Sequence, residues 1–192
     1  MTPIVVRTHE TAPQPWRNGG GVTRELLAWP SAADWRVRVS VADIASDGAF
    51  SSYPGVRRWF MVLKGAGVEL RVDGLAHHLT RNDEPFAFDG AAPCHCRLID
   101  GPTTDLNLML RGASGTVHLA GDGVPWSPGA THCGLFTAVA GRCDDGTHAF
   151  DMPPYALAWF DPAPPVLCFT AAGRPAGATA WWLAATLEGD PA

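Results

Sequence analysis

The chain has 192 residues, of which 46% are hydrophobic and 17% charged, and its net charge is −5. That apolar content supplies a core and excludes a disordered chain. Thirteen arginines stand beside a single lysine, Lys64, with no basic block, so the electrostatic footprint of a nucleic-acid binder is absent.

The first residues, MTPIVVRTHE, have neither a basic n-region nor an apolar h-region, which excludes a signal peptide. The longest apolar run near the C-terminal end, ATAWWLAATL, is about half the length a bilayer span needs. These features predict a soluble, cytoplasmic protein with no membrane partner.

In chain order, the first marked segment is Pro15-Trp16-Arg17-Asn18-Gly19-Gly20-Gly21-Val22-Thr23-Arg24-Glu25-Leu26-Leu27. Three successive glycines allow a tight turn or close approach of a ligand to the backbone. Around them stand an aromatic ring, an amide, a hydroxyl and two opposite charges, more chemistry than a turn requires. One reading makes the block a ligand site; the other makes it a β-bulge or barrel corner with Trp16 as a plug. It lacks the GxxxxGK[ST] spacing of a phosphate loop, and no helix is predicted after it.

Residues 35–41 alternate cleanly. Trp35, Val37, Val39 and Val41 share one face, and Arg36, Arg38 and Ser40 the other. Arg57-Arg58 then precede an apolar strand, Trp59–Leu63, so one arginine faces inward and its neighbour outward. An inward arginine needs a carboxylate partner or an anionic ligand, because an unpaired buried charge is costly.

Residues 68–72 and 75–79 flank Asp73-Gly74, a strong hairpin signal. A two-residue turn would set Leu70 opposite His77 and Glu69 opposite His78. The strand Asp105–Leu110 places Leu106, Leu108 and Leu110 on one side, and Asp105, Asn107 and Met109 on the other. Residues 111–131 are rich in Gly, Ser and Pro and read as a joint between two halves. Further strands are predicted at 116–120, 132–140, 156–160, 166–170 and 180–187. Short strands between frequent Gly and Pro, with no helical periodicity, define an all-β chain of sandwich or barrel type.

The five cysteines (Cys94, Cys96, Cys133, Cys143 and Cys168) are odd in number and contain no CxxC. They read as free thiols, several of them buried. No GxSxG elbow or local Cys/His signature marks a nucleophile. Most acidic residues next to glycine (Asp47, Asp73, Asp89, Asp100 and Asp145) read as turn formers.

PWRNGGGVTREL also resembles the signature of the HutD/Ves family. So do VADIASDGAFSSYPGVRRWFMVLKGAG (41–67), PFAFDG (85–90) and DLNLMLRG (105–112), in the family's order. The resemblance covers most of residues 15–112 and is loose beyond them. It implies a bicupin, two small antiparallel jelly-roll barrels in one chain, here divided as 1–112 and 113–192. It also implies a bacterial protein linked in many cases to histidine utilisation.

Cupins often hold a metal through a His-x-His pair, a glutamate and a later histidine. That pattern is missing: His77 and His78 are adjacent and point to opposite faces of a strand. No metal and no cofactor are therefore expected. The leading expectation is a metal-free binding protein with a regulatory or accessory role, whose partner is a small-molecule carboxylate. The resemblance points to a formylated or related amino-acid intermediate of histidine degradation.

Arg24, Arg38 and Arg58 are candidates for binding the carboxylate, since a guanidinium does so bidentately. Asn18, Thr23 and Ser46 would hydrogen-bond polar substituents, and Trp16 would form an apolar wall. Gly20 and Glu25 complete the glycine block. Asp105 and Asn107 would orient an arginine or accept from a ligand N–H. Thr23 and Arg24 cannot share one strand face. The alternatives are a metal-independent enzyme using Glu25 or Asp105 as general base, and an interaction module or homodimer built on an exposed patch of the eight tryptophans.

Overall fold

A computed structural model describes residues 2–173 and 179–189. Among them the chain forms strands and one 3₁₀ turn, Thr8–Glu10, so it is all-β as its patterning predicts. It divides into two compact units, Ala12–Gly112 and Met1–Thr11 with Ala113–Ala192.

One boundary between the units falls after Gly112, and residues 1–11 go with the later segment. β1 (Ile4–Arg7) pairs antiparallel with a strand at 156–160. The sequence marks a short apolar strand there without marking its partner, because strand pairing is a tertiary choice.

The unit Ala12–Gly112 contains β2 (Gln14–Pro15), β3 (Gly21–Trp29), β4 (Val37–Ile44), β5 (Gly48–Ala49), β6 (Val56–Lys64), β7 (Val68–Val72), β8 (Leu75–Leu79), β9 (Phe86–Asp89), β10 (Cys94–Leu98) and β11 (Thr103–Arg111). They form a six-stranded sheet, β2-β3-β4-β11-β6-β9, and a four-stranded sheet, β5-β10-β7-β8. One core joins the two: Ile44, Phe60, Val62 and Phe88 meet Val68, Leu70, Leu79, Cys94 and Cys96. Each fully buried Phe, Leu or Val there contributes about 1.5–3 kcal/mol of transfer free energy.

The other unit adds β12 (Ala113–Leu119), β13 (His132–Thr137), β14 (Gly141–Asp144), β15 (Ala149–Met152), β16 (Ala156–Phe160), β17 (Cys168–Ala171) and β18 (Ala180–Leu187). Their sheets are β1-β16-β13-β18-β12 and β15-β14-β17. Leu135, Phe160 and Trp182 from the first meet Cys143, Met152 and Phe169 from the second. β12 occupies part of the segment expected to be a joint. β14 and β15 are short strands that the sequence pattern did not single out.

In each unit the described strands lie in two separate sheets, and no pairing closes either into a barrel. The Asp73-Gly74 hairpin has the predicted register, Leu70 opposite His77 and Glu69 opposite His78. Both turn residues have positive φ, 48° and 81°, the conformation a type I′ turn requires. The five cysteines are free, and all except Cys168 are buried.

None of the eight tryptophans is exposed: each is buried or half-buried. The large indoles are instead drawn inward, with Trp159, Trp181 and Trp182 among the largest fully buried side chains.

Candidate functional site

The inner face of the six-stranded sheet is not uniformly apolar. β4 and β11 pair with Arg38 opposite Met109, Ser40 opposite Asn107 and Ala42 opposite Asp105. On the other side of β11, Met109 lies opposite Arg58, and Asn107 opposite Phe60. Period-two alternation sends Val37, Val39, Val41, Leu106, Leu108 and Leu110 to the opposite face, where all six are buried. Both faces of β11 are thus buried, and one of them carries an aspartate and an asparagine.

These polar residues open into a cavity of about 570 Å³. Arg38, Ser40 and Ala42 line it from β4, Asp105, Asn107 and Met109 from β11, and Arg58 from β6. Gln14, Pro15, Trp16, Arg17, Asn18 and Thr23 come from the N-terminal hairpin. Ala49, Phe50, Ser51 and Tyr53 supply the remaining wall.

Arg58 is the unusual member. It is only 5% exposed, while its neighbour Arg57 is exposed; alternation requires that one of the two face inward, and the fold selects Arg58. Among the described residues it has no carboxylate ion pair. Its Nη2 donates to Asn107 Oδ1 at 3.1 Å, and its Nε has no partner. Its guanidinium carbon lies over the rings of Phe88, Phe50 and Tyr53, at 5.0, 5.2 and 5.8 Å. Burial lowers the Arg58 pKa, and the nearby Cys94, Asp105 and Tyr53 oppose that shift. A guanidinium nonetheless remains charged.

Asn107 is a relay: its Oδ1 accepts from Arg58, and its Nδ2 donates to Asp105 Oδ2. Asp105 is completely buried, and its Oδ1 has no partner. Burial pushes its carboxyl up to about 8, against the opposing effects of Arg58 and Asn107, with a small further rise from Asp43. One cavity thus holds an unsatisfied cationic donor and an unsatisfied carboxyl oxygen, and buried polar groups rarely stay unpaired without a reason.

Arg38 is different, because its Nε donates to Glu25 Oε2 at 2.5 Å and its charge is balanced. Glu25 sits on the same face of β3 but does not line the cavity. Trp16 packs edge-on against Phe50, with centroids 6.1 Å apart, and its Nε1 donates to Thr23 Oγ1 at 2.8 Å.

The glycines serve the hairpin. Trp16 N–H donates to Gly21 O, Gly19 N–H to Trp16 O, and Gly20 N–H to Asn18 Oδ1 at 3.0 Å. A Cβ on Gly21 would stand 2.5 Å from Asp43 O and 3.2 Å from the Trp16 ring. The two readings of this block divide by residue: the glycines build the turn, while Trp16, Asn18 and Thr23 form the cavity wall.

Four expected site residues lie elsewhere. Arg24 falls on the opposite face of β3 and pairs with Asp43 at 2.7 Å, because strand alternation permits only Thr23 to face the cavity. Gly20 is buried inside the turn, and exposed Ser46 donates its N–H to Gly20 O. Glu25 is tied to Arg38. Phe50, Tyr53 and Arg17 were missed by the sequence reading. No local periodicity marked the first two, which lie in irregular chain beside β5, and Arg17 was hidden within the glycine motif.

A cation does not fit this donor set. The deep end of the cavity presents the unbalanced charge of Arg58, and no three described His, Cys, Asp or Glu residues converge as metal ligands. Among the described residues no helix is long and apolar enough to cross a membrane.

Antiparallel sheets in two units, one enclosing an arginine-bearing cavity, define a β-sandwich protein with a polar interior site. The sequence profile of the HutD family matches residues 8–141, and the chain belongs to that family. It is 40% identical over 97 residues to Protein Ves from Cronobacter sakazakii, covering 50% of this chain and 54% of that one. It is 35% identical over 107 residues to an uncharacterized protein of Pseudomonas putida encoded in the hutC 3′ region, covering 55% and 56%. These matches span about half the length of the curated relatives. The structure of HutD from Pseudomonas fluorescens superposes with a TM-score of 0.84 at 26% identity, covering 98% of this chain and 100% of that one.

Proposed function

We propose that this protein is a metal-free small-molecule binding protein, and that its cavity takes a small carboxylate. The observation that carries this reading is Arg58: a buried guanidinium without a carboxylate partner, its Nε unsatisfied, on the wall of a cavity. A buried cation in that state costs several kcal/mol, and an anionic ligand would repay it. Arg58 binds the carboxylate, Asn107 orients it, and the aromatic walls from Trp16, Phe50 and Tyr53 exclude water. The neighbourhood of the Pseudomonas putida relative, the hutC region, supports a regulatory or accessory role in histidine utilisation and a formylated amino-acid intermediate as ligand. In this reading each unit is one cupin-type sandwich of a bicupin, and the protein acts in the cytoplasm.

A second reading, a metal-independent enzyme, draws on Asp105. A carboxyl pushed up to about 8 by burial, beside the donors Arg58 and Asn107, is poised for general acid–base work. Glu25 does not fit that role, since it is held by Arg38 outside the cavity wall.

A thermal-shift screen with histidine, urocanate, formylglutamate, formiminoglutamate and glutamate tests both readings, with each hit followed by NMR of the compound over time. A saturating rise in melting temperature means binding to the folded state. An unchanged ligand spectrum then supports a binding protein, and its conversion supports an enzyme. No shift with any compound refutes the histidine-pathway ligand.

A further inference from the structure

The two unsatisfied polar atoms of the cavity belong to neighbouring strands: Arg58 Nε on β6 and Asp105 Oδ1 on β11. Asn107 Nδ2 already donates to Asp105 Oδ2, so that oxygen acts as an acceptor. A proton on this carboxyl therefore belongs on Oδ1, where it makes a second donor with no acceptor in the protein. Both residues line one cavity, while the two atoms themselves are closed to solvent.

Charge balance points the same way. Arg38 is neutralised by Glu25 and Arg17 is exposed to solvent, which leaves Arg58 as the buried, unbalanced charge of the cavity wall. With Asp105 neutral, one negative charge from a ligand brings that region to zero. With Asp105 ionised the region is already balanced, and an incoming carboxylate would meet a buried like charge.

We propose that Asp105 holds its proton in the ligand-free cavity and stays neutral when a carboxylate binds at Arg58, so that binding is linked to one proton. The ligand class is then a molecule that presents a single carboxylate to the deep end. A dianionic group such as phosphate is disfavoured there. The inference rests on the reading of the cavity as a carboxylate site and specifies how that site recognises its ligand.

The groups that bear on Asp105 come from each surrounding strand. They are Arg58 on β6, Asp43 on β4, Cys96 on β10 and the amide of Asn107 on β11 itself, and Arg38 on β4 acts on Arg58. Burial pushes the Cys96 thiol up to about 12, so it stays neutral where Asp105 titrates, near 8. Asp43 is held by Arg24 and Thr104.

The experiment is an NMR titration of the folded protein with acetate, propionate and N-acetylglycine, which stay singly ionised from about pH 6 to 10. It is repeated by calorimetry in two buffers of different ionisation enthalpy. The expected wild-type affinity is flat at neutral pH and falls about tenfold per pH unit above the Asp105 transition. Proton uptake on binding approaches one in that alkaline range. In Asp105→Asn the amide cannot ionise, and the pH dependence and proton uptake disappear while binding persists.

Wild-type affinity that is flat across the whole range, or binding without proton uptake, overturns the inference while leaving the carboxylate site standing. Absence of binding by all three probes at every pH overturns both. The calorimetric measurement uses only the wild-type chain, so a poorly folded variant does not decide the matter.

Discussion

Replacing Arg58 with methionine separates the two roles open to a buried guanidinium. In the folded protein the charge has no carboxylate partner. It gains a charged hydrogen bond to Asn107 at 3.1 Å, worth about 1.5–3 kcal/mol. The three rings at 5.0, 5.2 and 5.8 Å add about 0.5–1 kcal/mol each. Desolvation of the ion opposes these gains by several kcal/mol. Methionine keeps an unbranched, polarisable chain against the same rings. The opposing terms nearly cancel, so urea denaturation of R58M should give an unfolding free energy within about 2 kcal/mol of wild type.

Binding should respond much more strongly. Removing one partner of a buried, hydrogen-bonded charge pair costs about 2–5 kcal/mol, a loss of roughly 30-fold or more in affinity. Calorimetry with a compound that stabilises the wild type measures it. The reasoning is refuted if R58M loses more than about 4 kcal/mol of stability while its folded fraction binds as the wild type does. Arg58 would then be a structural residue.

Arg24→Ala removes a pair on the opposite face, with side chains 24% and 47% exposed. It should cost less than about 1 kcal/mol and leave ligand affinity within a few-fold, measured by the same denaturation and calorimetry. Gly21→Ala drives a Cβ to 2.5 Å from a backbone carbonyl, so it should lower stability by about 2 kcal/mol or more, visible as a lower urea midpoint. Burial lifts the Asp105 carboxyl to about 8, from the ordinary carboxylate range near 4 in the unfolded chain. The folded state thus holds one more proton between those values. Its stability contribution is full below pH ~4 and is lost as pH rises through about 8, with a slope of at most about 1.4 kcal/mol per unit. Urea denaturation of wild type and Asp105→Asn from about pH 5 to 9 should show this slope in the wild type only. Burial also pushes Cys94 up to about 11 and Cys96 to about 12, so a thiol reagent at mildly alkaline pH should leave both unmodified until the protein unfolds.

The sequence by itself determined the all-β class, the Asp73-Gly74 register, that one of Arg57 and Arg58 turns inward, and the alternation of β4 and β11. Each follows from a local rule: period-two side-chain direction, or the positive φ of a two-residue turn. It also pointed to Arg58, Asp105, Asn107, Trp16, Asn18 and Thr23, which do meet around one cavity. Only the tertiary structure decided that Arg24 and Glu25 take ion pairs instead, that Phe50 and Tyr53 close the wall, and that β1 joins β16. Convergence of residues far apart in the chain depends on which strands pair and how two sheets pack. Alternation fixes the face a side chain takes, but what it meets on that face is set by strands from elsewhere in the chain.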